Sequence, residues 1–298
     1  MAIVLVCMAA SQLQGDALLV STQSLLALED ALVVDARPLE DYAEAHIPGA
    51  LHLDYASLSE TRDGVRGLLR PVAALRNVLS EAGVNPERHV VVYSDSSDPQ
   101  HLTFATRVFW VLEYLGYPRV SVLDGGLTKW NLESRAVEKG GPKTNRIELP
   151  LLEPRPELMA TRDETTALLD GGAGVLLDSR PPGYYFGEQK KDYVARRGHI
   201  PGAVNLPYEA HVTGPAHVFR ARKELEKDLE SLGAAPGAPV VAYCNSGRAA
   251  SFNYFTARLL GRGPVAVYDG SFVEWAAQEE CEVVTDAGDE DIEKSEGP

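Results

Sequence analysis

At 298 residues the chain is about twice the length of a typical domain, so two domains or one large α/β unit are the starting expectations. Its 28 Lys+Arg against 43 Asp+Glu leave a net charge of −15, which argues against nucleic acid or an anionic membrane as partner, and 45% apolar residues argue against wholesale disorder. No run approaches the roughly 18 apolar residues of a membrane span, and three cysteines (Cys7, Cys244 and Cys281) are too few and too scattered for a disulfide framework or a closed zinc site.

The opening run from Met1 to Ser11 has the apolar core and small-residue flank of a secretory signal peptide, but no positive residue precedes it; a first strand or frayed end is the equal alternative. Cys7 sits in this run with no motif around it. Short β-branched runs then alternate with longer stretches of helical period. Ala31–Val34, Val90–Tyr93 and Val120–Leu123 predict buried strands, and Pro71–Ala82 and Leu102–Leu115 predict helices. The stretch Lys139–Pro156, with a Gly-Gly pair and four prolines, predicts a linker. Beyond it the pattern restarts. Val175–Leu177, Val240–Tyr243 and Val265–Tyr268 predict strands, Arg220–Leu232 and Ala250–Leu260 helices, and Gly83 and Gly233 close two of the helices. The last stretch, 286–298, is acidic and lacks aromatic residues, so it predicts a solvated tail.

The restart is a duplication. Ala31–Arg37 is echoed by Gly174–Arg180, and His46-Ile-Pro-Gly-Ala50 by His199-Ile-Pro-Gly-Ala203. Val90–Tyr93 is matched by Val240–Tyr243, and Leu123-Asp-Gly-Gly126 by Tyr268-Asp-Gly-Ser271, each followed by a tryptophan, Trp130 or Trp275. The matches keep one order at offsets between 143 and 153 residues. Two similar domains follow, each expected to be a parallel five-stranded sheet with helices on both faces, spanning 16–140 and 158–285, joined by a linker over 141–157.

Chemistry concentrates after the strand that ends at Tyr243, in Cys244-Asn-Ser-Gly-Arg-Ala-Ala-Ser251. A cysteine at the carboxyl end of a parallel strand, just before a helix, stands where open α/β sheets bind ligands. The following amides can curl around its sulfur with the helix N-terminus behind them, which favours an anion and therefore a thiolate. Gly247 permits the tight curl, and Arg248 adds a permanent cation. The bland alternative is an inert cysteine that packs as a small hydrophobe. In the first copy Ser94 stands opposite Cys244 and is followed by Asp95, Ser96, Ser97 and Asp98, whose carboxylates would repel an anion. That half is expected to supply stability and one wall of an interdomain cleft.

Together, Asp178-Ser-Arg180, Gly198-His-Ile-Pro-Gly-Ala203, the Cys244 loop and Tyr268-Asp-Gly-Ser-Phe-Val-Glu-Trp275 resemble the tandem-domain rhodanese family of thiosulfate and 3-mercaptopyruvate sulfurtransferases, over roughly residues 18–284. The resemblance implies a sulfurtransferase in which Cys244 carries a persulfide, the amides of Asn245, Ser246, Gly247, Arg248 and Ala249 cradle it, and Arg180 binds the donor anion. It implies no cofactor and no metal, a small sulfur donor, a cyanide or thiol acceptor, no nucleic acid, no membrane insertion, and a monomer. The loop and the Tyr-Tyr-Phe-Gly stretch look closest to a bacterial thiosulfate subgroup, periplasmic if the opening run is a signal-peptide remnant and cytoplasmic otherwise.

Some residues depart from the family pattern. Thiosulfate enzymes often carry basic residues after the cysteine, where Asn245 and Ser246 are neutral. The mercaptopyruvate type carries Gly-Ser-Gly there, partly matched by Ser246-Gly247, and a second arginine where this chain has Tyr184 or Tyr185. Thiosulfate is the favoured donor, with 3-mercaptopyruvate, or a non-turnover sulfane-sulfur carrier or sensor, as alternatives. Phosphatases of related fold need arginine six residues after cysteine; that position is Ala250, and Arg248 falls too early. His46 and His199 are expected to bond nearby backbone, and His101, His211 and His217 to lie at the surface. Trp130 and Trp275 are expected in the core, and Cys281 is expected to have no role.

Overall fold

A computed structural model describes residues 18–143, 146–172 and 174–285. The opening run with Cys7 and the acidic tail lie outside the described residues. The first half runs β1 (Leu19–Val20), α1 (Thr22–Leu25), β2 (Ala31–Asp35), α2 (Leu39–Glu44), β3 (Leu51–His52), the hairpin β4 (Ser59–Arg62) and β5 (Val65–Leu69), α3 (Val72–Ala82), β6 (His89–Tyr93), α4 (Pro99–Tyr114), β7 (Val120–Leu123) and α5 (Gly126–Leu132). The second repeats it: β8 (Met159–Ala160), α6 (Arg162–Gly171), β9 (Val175–Asp178), α7 (Pro182–Tyr185), β10 (Val204–Asn205), the hairpin β11 (Val212–Thr213) and β12 (Val218–Phe219), α8 (Arg222–Ser231), β13 (Val240–Tyr243), α9 (Ala250–Leu259), β14 (Val265–Tyr268) and α10 (Ser271–Ala277).

Each half is a five-stranded parallel sheet, in order β1-β7-β6-β2-β3 and β10-β9-β13-β14-β8. Central strands read as unbroken apolar runs because both faces are covered. Along β6, Val90 and Val92 face the core shared with α3 and α4, whereas Val91 and Tyr93 face the opposite layer with Leu127 and Trp130. β13 alternates in the same way, with Val240 and Ala242 on one side and Val241 and Tyr243 on the other, beside Phe272 and Trp275. Trp130 and Trp275 are buried and donate from Nε1 to Ala136 O and Glu282 O.

The inner layers fuse. Phe109 of α4 meets Phe255 of α9 edge to face at 4.9 Å, and Thr106 Oγ1 lies 3.0 Å from Ser251 Oγ. Burying a side chain of this size is worth about 1.5–3 kcal/mol, so the seam between the repeats is a core. Glu113 closes it, accepting from Tyr254 Oη at 2.7 Å and Arg258 Nη2 at 2.8 Å. Burial raises the Glu113 pKa, but the bond and charge of Arg258 outweigh that, and the carboxyl stays below the usual range.

Local signals explain most helix ends. Gly83 closes α3 at φ +76°, where a Cβ would be strained. The helix predicted from Leu102 begins three residues earlier, because Asp98 Oδ1 accepts from Gln100 N at 2.7 Å and Pro99 fits the first turn. His211, expected at the surface, is 2% exposed. It stacks against Phe252 and bonds Asn253 Oδ1 through Nε2, a tertiary arrangement that no motif around it announces. His101 and His217 are half-buried. His46 and His199 bond Tyr42 O and Tyr185 O through Nδ1, each at 2.8 Å.

Candidate active site

Cys244 follows the last residue of β13, the middle strand of the second sheet. Its amide donates to Ser271 Oγ at 3.2 Å, and its carbonyl accepts from Phe272 N at 3.0 Å. Asn245 O accepts from Val273 N at 3.0 Å, so the start of the loop is tied to the first turn of α10. Gly247 sits at φ +80°, and Ala249 hands the chain to α9. Arg248 O then accepts from Ser251 Oγ at 2.6 Å and Ser251 N at 3.2 Å. With the Cys244, Asn245 and Arg248 carbonyls each taken by protein donors, the loop borders a cleft between the repeats.

That cleft encloses about 720 Å³ and brings together Cys244, Asn245, Ser246, Arg248 and Ala249 with Arg180 from the second half, and Tyr55, Arg66, Gly67 and Arg107 from the first. Tyr184, Lys191, Tyr193 and Tyr208 complete the walls, and Glu60 is the one carboxylate among the lining residues. In a chain with net charge −15, this is a local concentration of cations. Cys244 is 4% exposed; it belongs to the core and also lines the cleft. Half-buried Cys281 lies outside the cleft, packed near Trp275, and burial pushes its thiol pKa up.

Arg248 is held from across the seam. Its Nη1 donates to Tyr55 Oη at 3.1 Å, and its guanidinium lies 5.5 Å from the Tyr55 ring and 5.0 Å from that of Phe104, two rings that stack on each other at 4.0 Å. Arg180 is more deeply committed. At 2% exposure it donates Nε to Asp178 Oδ1 at 2.9 Å and Nη2 to Asp178 Oδ2 at 2.5 Å and Gly198 O at 2.8 Å, over the Phe272 ring at 4.2 Å. Burial opposes its charge, but Asp178 more than offsets this, Tyr243 and Cys244 pull the same way, and its pKa is raised. Arg37 makes the same bonds to Asp35 and Ala45 O in the half that has no cysteine. The shared arrangement is therefore a feature of the repeat, and only Arg180 also borders a thiol.

The matching loop of the first half is sealed. Ser94 Oγ donates to His101 O at 2.7 Å, and Asp95 accepts from Ser97 N at 2.9 Å, Ser97 Oγ at 2.6 Å and the Thr128 hydroxyl. Burial raises the Asp95 pKa, but these bonds to Ser97 and Thr128 outweigh it and the carboxyl sits low. Among the described residues no group of His, Cys, Asp and Glu side chains could hold a metal ion.

Sequence reasoning missed Tyr55, Gly67, Arg107 and Asp269. The available signals were an arginine in a mostly apolar helical run and an aspartate repeated in both Asp-Gly turns.

The Rhodanese-like domain model matches twice, over residues 21–133 and 161–278. The chain belongs to the rhodanese family. It is 34% identical over 260 residues to a thiosulfate sulfurtransferase of Azotobacter vinelandii, covering 85% of this chain and 90% of that one. It is 31% identical over 262 residues to a 3-mercaptopyruvate sulfurtransferase of Mus musculus, covering 85% and 84%. A solved anaerobic ergothioneine biosynthesis enzyme from Chlorobium limicola, in complex with trimethyl histidine, aligns with a TM-score of 0.79 at 26% identity, covering 88% of this chain and 66% of that one. With two family domains and these relatives, the protein is a rhodanese-family sulfurtransferase.

Proposed function

We propose that the protein takes a sulfane sulfur from thiosulfate onto Cys244 and passes it to cyanide or a thiol. The observation that carries this reading is a thiol at the end of the central strand, opening on a cleft lined by Arg66, Arg107, Arg180, Lys191 and Arg248. The thiolate attacks the outer sulfur of thiosulfate; a sulfur–sulfur bond forms, the bond to the sulfonate sulfur breaks, and its electron pair leaves on sulfite. The acceptor then attacks the outer sulfur of the persulfide, and the pair returns to Cys244 as thiolate. No net oxidant is consumed. Backbone amides and fixed cations hold the charge that moves, so no general base is needed.

Arg248 is the side chain best placed to grip the donor, since its hydrogen bonds to the protein leave donors to spare. Arg180, fully engaged through Nε and Nη2, adds a fixed positive field beside the sulfur and guides the anion. Neutral Asn245 and Ser246 leave room for a donor, and the buried Asn245 Oδ1 lacks a protein partner. Tyr184 lines the cleft near the position where a second arginine would favour a carboxylate donor. The kinship with 3-mercaptopyruvate sulfurtransferases keeps that donor as the second reading. Steady-state assays with each donor and cyanide decide between them. Higher kcat/KM with thiosulfate supports the proposal, higher kcat/KM with 3-mercaptopyruvate reassigns the donor, and turnover with neither reduces the protein to a sulfur carrier.

A further inference from the structure

Behind the Cys244 loop stands a charged residue from the other repeat. Arg107 of α4 is 1% exposed, with its guanidinium 4.5 Å from the Trp110 ring. It donates Nη2 to Asp269 Oδ1 at 2.8 Å and to Gly67 O at 3.0 Å, and it reaches Ser59 Oγ and Gly247 O at 3.4 Å. Asp269 uses its other oxygen to accept Leu69 N at 2.6 Å. One arginine thus ties the β4–β5 hairpin, the Asp-Gly turn and the cysteine loop together. The packing is close enough that a Cβ on Gly247 would lie 3.0 Å from Asp269 O and Oδ1 and 3.1 Å from Arg107 Nη1.

The duplication provides an internal control. Asp269 and Trp275 lie 145 residues after Asp124 and Trp130, and the same step from Arg107 arrives at Phe252. Phe252, fully buried, stacks on Phe219 at 5.2 Å, while Asp124 Oδ1 accepts Phe219 N at 2.9 Å. The hairpin-to-aspartate bond is therefore kept in both copies. Behind the sealed loop, an apolar ring fills the place that Arg107 takes behind the open one. The fold closes without an arginine there, and a buried ion pair is a poor way to gain stability over an apolar pair.

We infer that Arg107 is a positioning residue for the Cys244 loop: it draws the Gly247 carbonyl toward its own guanidinium, and the Arg248 N–H, which points the opposite way on the same planar trans peptide, is thereby turned toward the cysteine sulfur. The non-cysteine repeat supplies the anchor, so the site is complete only with both repeats. The inference rests on Cys244 being the reacting thiol.

Rates of Cys244 alkylation by iodoacetamide as a function of pH, followed by mass, read the thiol's reactivity without any sulfur donor. In folded Arg107→Met the alkylation midpoint is expected to rise by about one pH unit. In the same variant kcat for sulfur transfer is expected to fall about tenfold, with KM for the donor within about twofold. Arg107→Lys, which keeps the charge but gives up the planar fork, is expected to behave like Arg107→Met. Phe252→Leu, at the twin position, is expected to lower Tm and leave the midpoint in place. An unchanged midpoint and kcat in folded Arg107→Met would overturn the inference. So would full recovery with lysine, or an equal midpoint shift in Phe252→Leu. Should Arg107→Met fail to fold, Asp269→Asn decides: it keeps an acceptor for Leu69 and loses the charge that anchors Arg107, and an unmoved midpoint there is equally fatal. A parent chain that alkylates but never gains sulfur defeats the sulfur-transfer reading, while the midpoint comparison still judges Arg107.

Discussion

Arg248 of the cysteine loop donates to the Tyr55 hydroxyl of the opposite repeat at 3.1 Å, so a cation lining the cleft is oriented by a residue far from it in sequence. The relationship makes the cleft a joint product of two domains, only one of which carries a thiol. A charge-assisted bond to a bound anion is worth about 1.5–3 kcal/mol. Arg248→Ala is expected to raise KM for thiosulfate at least about tenfold, and Tyr55→Phe to raise it less. Steady-state kinetics check this, and an unchanged KM in Arg248→Ala would remove that side chain from donor binding.

Arg180 and Arg37 make matching bonds in the two halves, and breaking either buried pair leaves an uncompensated carboxylate. Arg37→Met and Arg180→Met are each expected to lose about 3–5 kcal/mol in denaturant unfolding. Only Arg180→Met should also weaken thiosulfate binding, because only its guanidinium borders a thiol. Equal KM in the two variants would show that Arg180 serves folding alone.

Gly67 and Gly64 both lie at positive φ in or beside the same hairpin, +87° and +81°, yet their surroundings differ. A Cβ on Gly67 would lie 2.5 Å from the backbone oxygen of Ser246, whereas nothing stands within 4 Å of one on Gly64. Both alanine variants should lose about 1 kcal/mol or more to backbone strain. Gly67→Ala should in addition lower kcat/KM about tenfold by displacing the loop, and Gly64→Ala should leave it unchanged. Matching activities would mean that the hairpin does not touch the chemistry.

His211 gives a pH signature. Burial lowers its pKa to about 4, against a bond from Asn253 that favours the proton. An unfolded histidine takes up its proton near pH 6.5, so between about 6.5 and 4 the unfolded chain binds more protons than the folded one. Stability contributed by neutral His211 is therefore present above pH 6.5 and lost as pH falls through that window, by about 3 kcal/mol in all. Between pH 6.5 and pH 4 the parent should lose about 3 kcal/mol more unfolding free energy than His211→Gln, with a constant difference above pH 6.5, and parallel curves through that window would contradict the assignment.

Much of this architecture is legible in sequence because duplication doubles every signal. The strands at Val90 and Val240, the Asp-Gly turns and the Ile-Pro-Gly segments each appear twice, and local propensity agrees with the sheet pattern. Cys244 is legible too, since strand, glycine and helix follow one another locally. What stays hidden depends on long-range closure. The four-residue β4 places Ser59 beside Arg107, and Arg107 reads as a charge amid apolar neighbours until α4 is packed against α9. His211 is similar: no ligand spacing or motif marks it, and its burial against Phe252 comes only with tertiary packing. Arg180 shows another hidden feature: its place beside the cleft follows from the family resemblance, but its commitment to Asp178 and Gly198 is seen only in the fold.

The most direct test is the intact mass of the protein before thiosulfate, after it, and after a chase with cyanide. A gain of one sulfur that cyanide removes as thiocyanate, lost in a folded Cys244→Ser variant, is the predicted result. A mass that never changes, or a gain that survives in Cys244→Ser, would contradict the assignment of the reacting sulfur to Cys244.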